Sequence, residues 1–108
     1  MGVILDECIP RPLGAELTGH LVTTVQKQGW AGTTNGKLLR HIESAGFEAF
    51  VTLDRNLPHQ QTLRGRAFGV VVLKARSNRF VDLAPLAPGI LSALAEIGPG
   101  KIVYVGQD

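Results

Sequence analysis

VILDECIPRP, residues 3–12, sets three apolar residues, Val3 to Leu5, directly against two carboxylates, Asp6 and Glu7, and then closes on prolines. A short β-rich run with no polar residue inside it reads as a strand buried on both faces. The pattern returns along the chain. LVTTV (21–25), AFVTL (49–53), GVVVL (69–73) and IVYV (102–105) are further runs of this kind. Helical signals lie between them. PRPLGAEL places proline in a first turn, with Leu13 and Leu17 four apart and Gly19 as a stop. Asn35 is placed to cap a helix running to Gly46, with Leu38, Leu39, Ile42 and Ala45 on one face. Leu83, Leu86, Ile90, Leu91, Leu94 and Ile97 form a last helical stripe, with Pro85 and Pro88 confined to its first turns. Buried strands alternating with helices predict an α/β three-layer sandwich around a mostly parallel sheet of four to five strands. The expected order is 2-1-3-4, with the place of the last strand open.

The chain has 108 residues and 44% hydrophobic content, which suits one domain over residues 1–108 with a core of its own. A single cysteine, Cys8, excludes an internal disulfide and agrees with a cytoplasmic setting. It is expected to be a small buried apolar residue. No run approaches the roughly 20 apolar residues of a membrane span, and the N-terminus lacks the pattern of a signal peptide. His20, His41 and His59 have no metal-ligand spacing, and His41 falls on the outer face of its helix. The aromatic residues lie near apolar runs and read as core, with Trp30, in a glycine loop, as the one expected at the surface.

Parallel sheets bind ligands beyond the carboxyl ends of their strands, where the strand order switches direction. Asp6 ends the first strand and Asp54 the third, so an order of 2-1-3 brings them over one crevice. The ordinary role of an aspartate there is a turn or a helix cap. Two on neighbouring strands, one doubled by Glu7, point instead to an acid pair that a divalent cation such as Mg²⁺ or Mn²⁺ would neutralise. Charge supplies a second signal. The net charge is only +2, but residues 55–79 hold six cations (Arg55, Arg64, Arg66, Lys74, Arg76 and Arg79) and no acid. A basic segment beside an acidic crevice suits phosphodiester chemistry, in which cations position a backbone and a metal assists hydrolysis. Arg55, Arg76 and Arg79, with Lys37 at the opening of the second helix, are the candidate phosphate contacts. Ser77 and Asn78 belong to a turn that can reach the crevice from its far side.

VILDECIPRPL, GWAGTTNGKLL, FVTLDRNL and GVVVLKARSNR together resemble the short PIN-like family of small bacterial proteins, over about residues 3 to 105. That family is related to PIN-domain ribonucleases, which include toxins of toxin–antitoxin pairs. The resemblance implies a Mg²⁺- or Mn²⁺-dependent RNA hydrolase with Asp6 and Asp54 as catalytic and metal-binding acids and Glu7 beside them. It also implies a small antitoxin as partner; assembly into a homodimer is left open. Two positions depart from the family pattern. Asn35 and Asn56 stand where relatives commonly carry acids, which leaves a binding module with weakened catalysis as the alternative. A phospho-receiver domain also places an acid pair after strand one and an aspartate after strand three. It needs a lysine at the end of strand five, and here Lys101 precedes that strand.

Overall fold

The computed structural model describes residues 1–107. Five strands, β1 (Gly2–Leu5), β2 (Leu21–Thr24), β3 (Ala49–Thr52), β4 (Gly69–Lys74) and β5 (Ile102–Gly106), form one sheet in the order β2-β1-β3-β4-β5. Every pairing is parallel. The expected 2-1-3-4 order is present, and β5 takes the edge beyond β4. The helices are α1 (Asn35–Ser44), α2 (Leu57–Gln60), α3 (Phe80–Leu83) and α4 (Ala87–Glu96), with 3-10 turns at Arg11–Glu16 and Ala84–Leu86.

The two faces of the sheet carry separate cores, because alternate residues of each strand point to opposite sides. Val3, Leu5, Val51, Val71 and Leu73 pack with Leu13, Leu17, Leu83, Ile90 and Leu94. Ile4, Phe50, Val70 and Val72 pack with Leu38, Leu39, Ile42, Leu57 and Phe68. Covering on both sides explains why β1, β3 and β4 are apolar up to Thr52 and Lys74 at the ends of β3 and β4.

Three expectations about the helices change. Thr34, not Asn35, is the N-cap of α1, and Asn35 is its first helical residue. Ala45 is exposed; the helix stops at Ser44, and Gly46 adopts φ +81° so that its N–H reaches the Glu43 carbonyl. The last helical stripe is not one helix. Pro85 and Pro88 interrupt it, giving α3, a 3-10 turn and α4, since each proline removes a backbone donor. The aromatic assignments also divide. Phe50 and Phe68 are buried, whereas Phe80 and Tyr104 are 39% and 47% exposed. Trp30 is half-buried, stacked on the exposed His41 ring at 5.3 Å and set edge-on to Phe47.

Candidate active site at the carboxyl edge of the sheet

Leu5 is paired with Val51, so the next residues along, Asp6 and Thr52, stand side by side at the carboxyl edge of β1 and β3. The Asp6 N–H donates to the Val51 carbonyl at 2.9 Å, which carries the ladder one step past β1. The Asp6 carboxylate is then fixed by two donors. The Thr52 hydroxyl donates to Oδ2 at 2.6 Å, and the Glu7 N–H donates to Oδ1 at 2.8 Å. Thr52 is fully buried, and its Oγ1 also accepts the Asp54 N–H at 3.0 Å. One hydroxyl therefore joins the side chain of the first acid to the backbone of the second. Asp54 turns the chain into α2: its Oδ1 accepts the Asn56 N–H at 3.0 Å, and its carbonyl accepts the Leu57 N–H at 3.2 Å.

Burial pushes the Asp6 carboxyl above the ordinary aspartate value of 3.8, and the charges of Glu7 and Asp54 push the same way. The Thr52 and Glu7 hydrogen bonds act against them without cancelling them. The link between the two acids that the structure shows is the Thr52 hydroxyl.

Glu7 is exposed, and its Oε1 accepts the Gly32 N–H at 3.4 Å. Its carbonyl accepts Gln26 Nε2 at 2.8 Å. Both bonds tie the β1 end to the loop following β2, on the side of β1 away from β3. Among the described residues, no three His, Cys, Asp or Glu side chains are placed to hold one metal ion. Mg²⁺ needs only one or two carboxylates, with water and phosphate oxygens completing its octahedron. Asp6 and Asp54 are the two carboxylates at this edge that such an ion would use, and a cation there would oppose the burial that raises the Asp6 carboxyl.

The far wall comes from the turn after β4. Asn78 Nδ2 donates to the Cys8 carbonyl at 3.0 Å. Because β3 lies between β1 and β4, this bond spans the end of β3. Ser77 Oγ donates to Asp82 Oδ2 and accepts the Arg79 N–H at 3.1 Å, and the Arg79 guanidinium lies 3.6 Å from the same Asp82 oxygen. Asp82 is held below the ordinary aspartate range, first by the Ser77 hydroxyl and then by the charges of Arg79 and Arg76. Asn78 thus reaches the loop after β1, whereas Ser77 is turned to Asp82.

The basic segment is divided between two ends of the sheet. Arg55 directly follows Asp54, and Lys74, Arg76 and Arg79 follow or end β4, all at the carboxyl edge. Arg66 is at the opposite edge. It pairs with Glu43 at 3.0 Å, in the last turn of α1, just before β4 begins. Arg64 sits beside Gly100, just before β5, at that same edge. A charge count along the chain cannot separate these groups, because the crossover from β3 to β4 carries the chain from one edge to the other. Lys37 and Asn35 open α1, whose first turn touches the end of the β3–α2 segment: a Cβ on Gly36 would lie 3.8 Å from Gln61 Oε1. Asn56 is exposed at the start of α2. Neither asparagine is brought into hydrogen-bonding contact with Asp6.

Cys8 is exposed, contrary to expectation. Its thiol is nonetheless held above the ordinary thiol range by partial burial and by the Asp6 charge, the reverse of what an activated nucleophile needs. Thr52 is the residue that sequence reasoning missed. Its signal was present, as a hydroxyl two residues before the strand-end aspartate, but threonine is also an ordinary strand former.

Comparison with family models, with curated proteins and with solved structures returned no match for this chain.

Proposed function

We propose that this is a PIN-like ribonuclease domain acting on single-stranded RNA at the carboxyl edge of its sheet. The observation that supports it best is the Asp6–Thr52–Asp54 chain, in which a buried hydroxyl holds two acids on neighbouring strand ends. Asp6 and Asp54 would hold a Mg²⁺ or Mn²⁺ ion. When bound, such an ion lowers the pKa of a water and offsets charge developing on the phosphate. Thr52 fixes the rotamer of Asp6, and Asn56 that of Asp54, so both carboxylates are set before a substrate arrives. Arg55 and Lys37 are candidates to orient the scissile phosphate from the β3 and α1 sides. A toxin role, a small antitoxin, self-association and a cytoplasmic setting belong to the same reading; the only related finding is that no described helix is long and apolar enough to cross a membrane.

Cleavage of a labelled single-stranded RNA in Mn²⁺ or Mg²⁺ tests the proposal. The wild-type protein should cut, and Asp6→Asn and Asp54→Asn should each reduce the rate by at least about a hundredfold, on the scale of losing one electrostatic element of a transition state. Equal rates for wild type and both variants would end the enzyme reading.

A second reading is favoured by the orientation of Glu7 toward Gly32 and by neutral Asn35 and Asn56. With two acids and, among the described residues, no third joined to them, the same crevice can bind RNA without cutting it. RNA retention with no cleavage in either metal is its signature. The receiver alternative has less support. Gly106 and Gln107 stand at the β5 end where it needs a lysine, and acetyl phosphate should leave Asp54 unlabelled.

A further inference from the structure

A hollow of about 480 Å³ opens beside the crevice, at the carboxyl ends of β4 and β5, lined by Lys74, Ala75, Arg76, Asp82, Leu86 and Gln107. Its volume falls in the usual range of ligand sites. Continuing the β3–β4 register by two residues puts Lys74 level with Asp54, so hollow and crevice share one edge of the sheet. Neighbouring strands are about 4.8 Å apart, which sets the β5 side roughly 10 Å from the β3 end.

Among the described residues, Arg76 and Arg79 stand beside one acid, Asp82. That acid is already occupied by the Ser77 hydroxyl and the Arg79 guanidinium. Arg76 is exposed and near enough for its charge to act on Asp82, with no ion pair between them among the described residues. The Lys74 ammonium lies 5.6 Å over the Tyr104 ring, on the α1 face of the sheet and not on the face that carries Leu86, so its charge flanks the hollow from the other side. Leu86 and Ala75 give the floor an apolar part, and Gln107 adds an amide. An exposed guanidinium beside an apolar floor and a neutral amide suits a nucleotide unit better than a bare inorganic anion.

We propose that this hollow is a second RNA subsite, holding the phosphate and base of a nucleotide next to the one at Asp6 and Asp54. The bound strand then runs across the sheet edge from β1 and β3 toward β5. The Asn78–Cys8 hydrogen bond and the Ser77–Asp82 pair separate the two subsites and fix the turn between them. This inference rests on the RNA reading above and adds the direction of the strand and the residues that receive it.

Binding of a fluorescein-labelled single-stranded RNA, followed by anisotropy in EDTA across a salt series, tests it without requiring cleavage. Each phosphate contact with a single strand contributes about 0.7 to the slope of log affinity against log salt. Arg76→Ala should flatten the slope by about 0.7, and Arg76→Ala with Arg79→Ala by about 1.4. Gln107→Glu, which adds a charge while keeping every cation, should weaken binding several-fold. RNA that binds wild type and all three variants with one slope and one affinity overturns this subsite and leaves the parent reading standing. Failure of wild type to bind RNA even at low salt overturns both. Displacement of the strand by inorganic phosphate at concentrations where a dinucleotide has no effect would make the hollow a free-anion site and overturn the assignment.

Discussion

Thr52 shows how much of the crevice depends on one hydroxyl. It donates to Asp6 and accepts from the Asp54 N–H while fully buried. Thr52→Val keeps the shape but leaves a carboxylate oxygen and a backbone donor without partners. The expected loss is about 1–3 kcal/mol in urea denaturation, with Thr52→Ser recovering most of it. A loss under roughly 0.5 kcal/mol, within the range of an ordinary surface change, would mean that water replaces the hydroxyl freely. Asp6 gives a pH signature in metal-free buffer. Its folded-state pKa is raised, so the native chain holds that proton more tightly than the unfolded chain does. Stability from this group is complete below the ordinary value of 3.8 and is lost as pH climbs through the raised value. Asp6→Asn should therefore melt higher than wild type at neutral pH, with the gap closing in acid. A gap that widens in acid would contradict the burial argument. The two strand-end acids were legible in the sequence because their position follows from the fold class. Thr52, Cys8 and Tyr104 were not, because a residue type does not state which side of a strand end it faces, nor how far a helix extends over it.

Among the elements, α1 was the most legible, since Leu38, Leu39 and Ile42 repeat at helical spacing and all three are buried. Its cap was misplaced by one residue because Thr34 and Asn35 are both good capping types. The closing stripe was harder to read: its apolar spacing survives the proline breaks, so periodicity alone suggests one helix where there are three short pieces. The α1 C-terminus is held by a contact that no pattern announces. Glu43 accepts the Ala67 N–H at 2.8 Å and the Arg66 guanidinium at 3.0 Å, and these bonds hold its carboxyl below the ordinary value of 4.5. A lowered carboxyl stabilises the fold above its unfolded pKa and loses that effect as pH falls through the folded value. Glu43→Ala should lower the melting temperature at pH 7 and converge on wild type in acid. A pH-independent difference would assign the effect to helix propensity instead.

For the whole molecule, the sheet is a partition between two cores. Leu39 on one side and Ile90 on the other are both fully buried. Leu39→Ala and Ile90→Ala should each cost about 2–5 kcal/mol. Having no shared neighbours, they should add to within about 0.5 kcal/mol in a double-mutant cycle, in a background stable enough to carry both. A larger coupling would mean that the sheet transmits strain from one face to the other. The strand order has a consequence for how the chain is made. β1 is synthesised before β2 and β3, yet it lies between them in the sheet. Until Ala49–Thr52 has emerged and crossed over, β1 keeps one edge open and Asp6 has no Thr52 beside it. Parallel pairings of this kind are non-local and slow to form. The Asn78–Cys8 bond waits longer still, joining residues 70 positions apart. A nascent or truncated chain ending before β3 therefore lacks the Asp6–Thr52 pairing, and it exposes an apolar strand of the sort that chaperones bind.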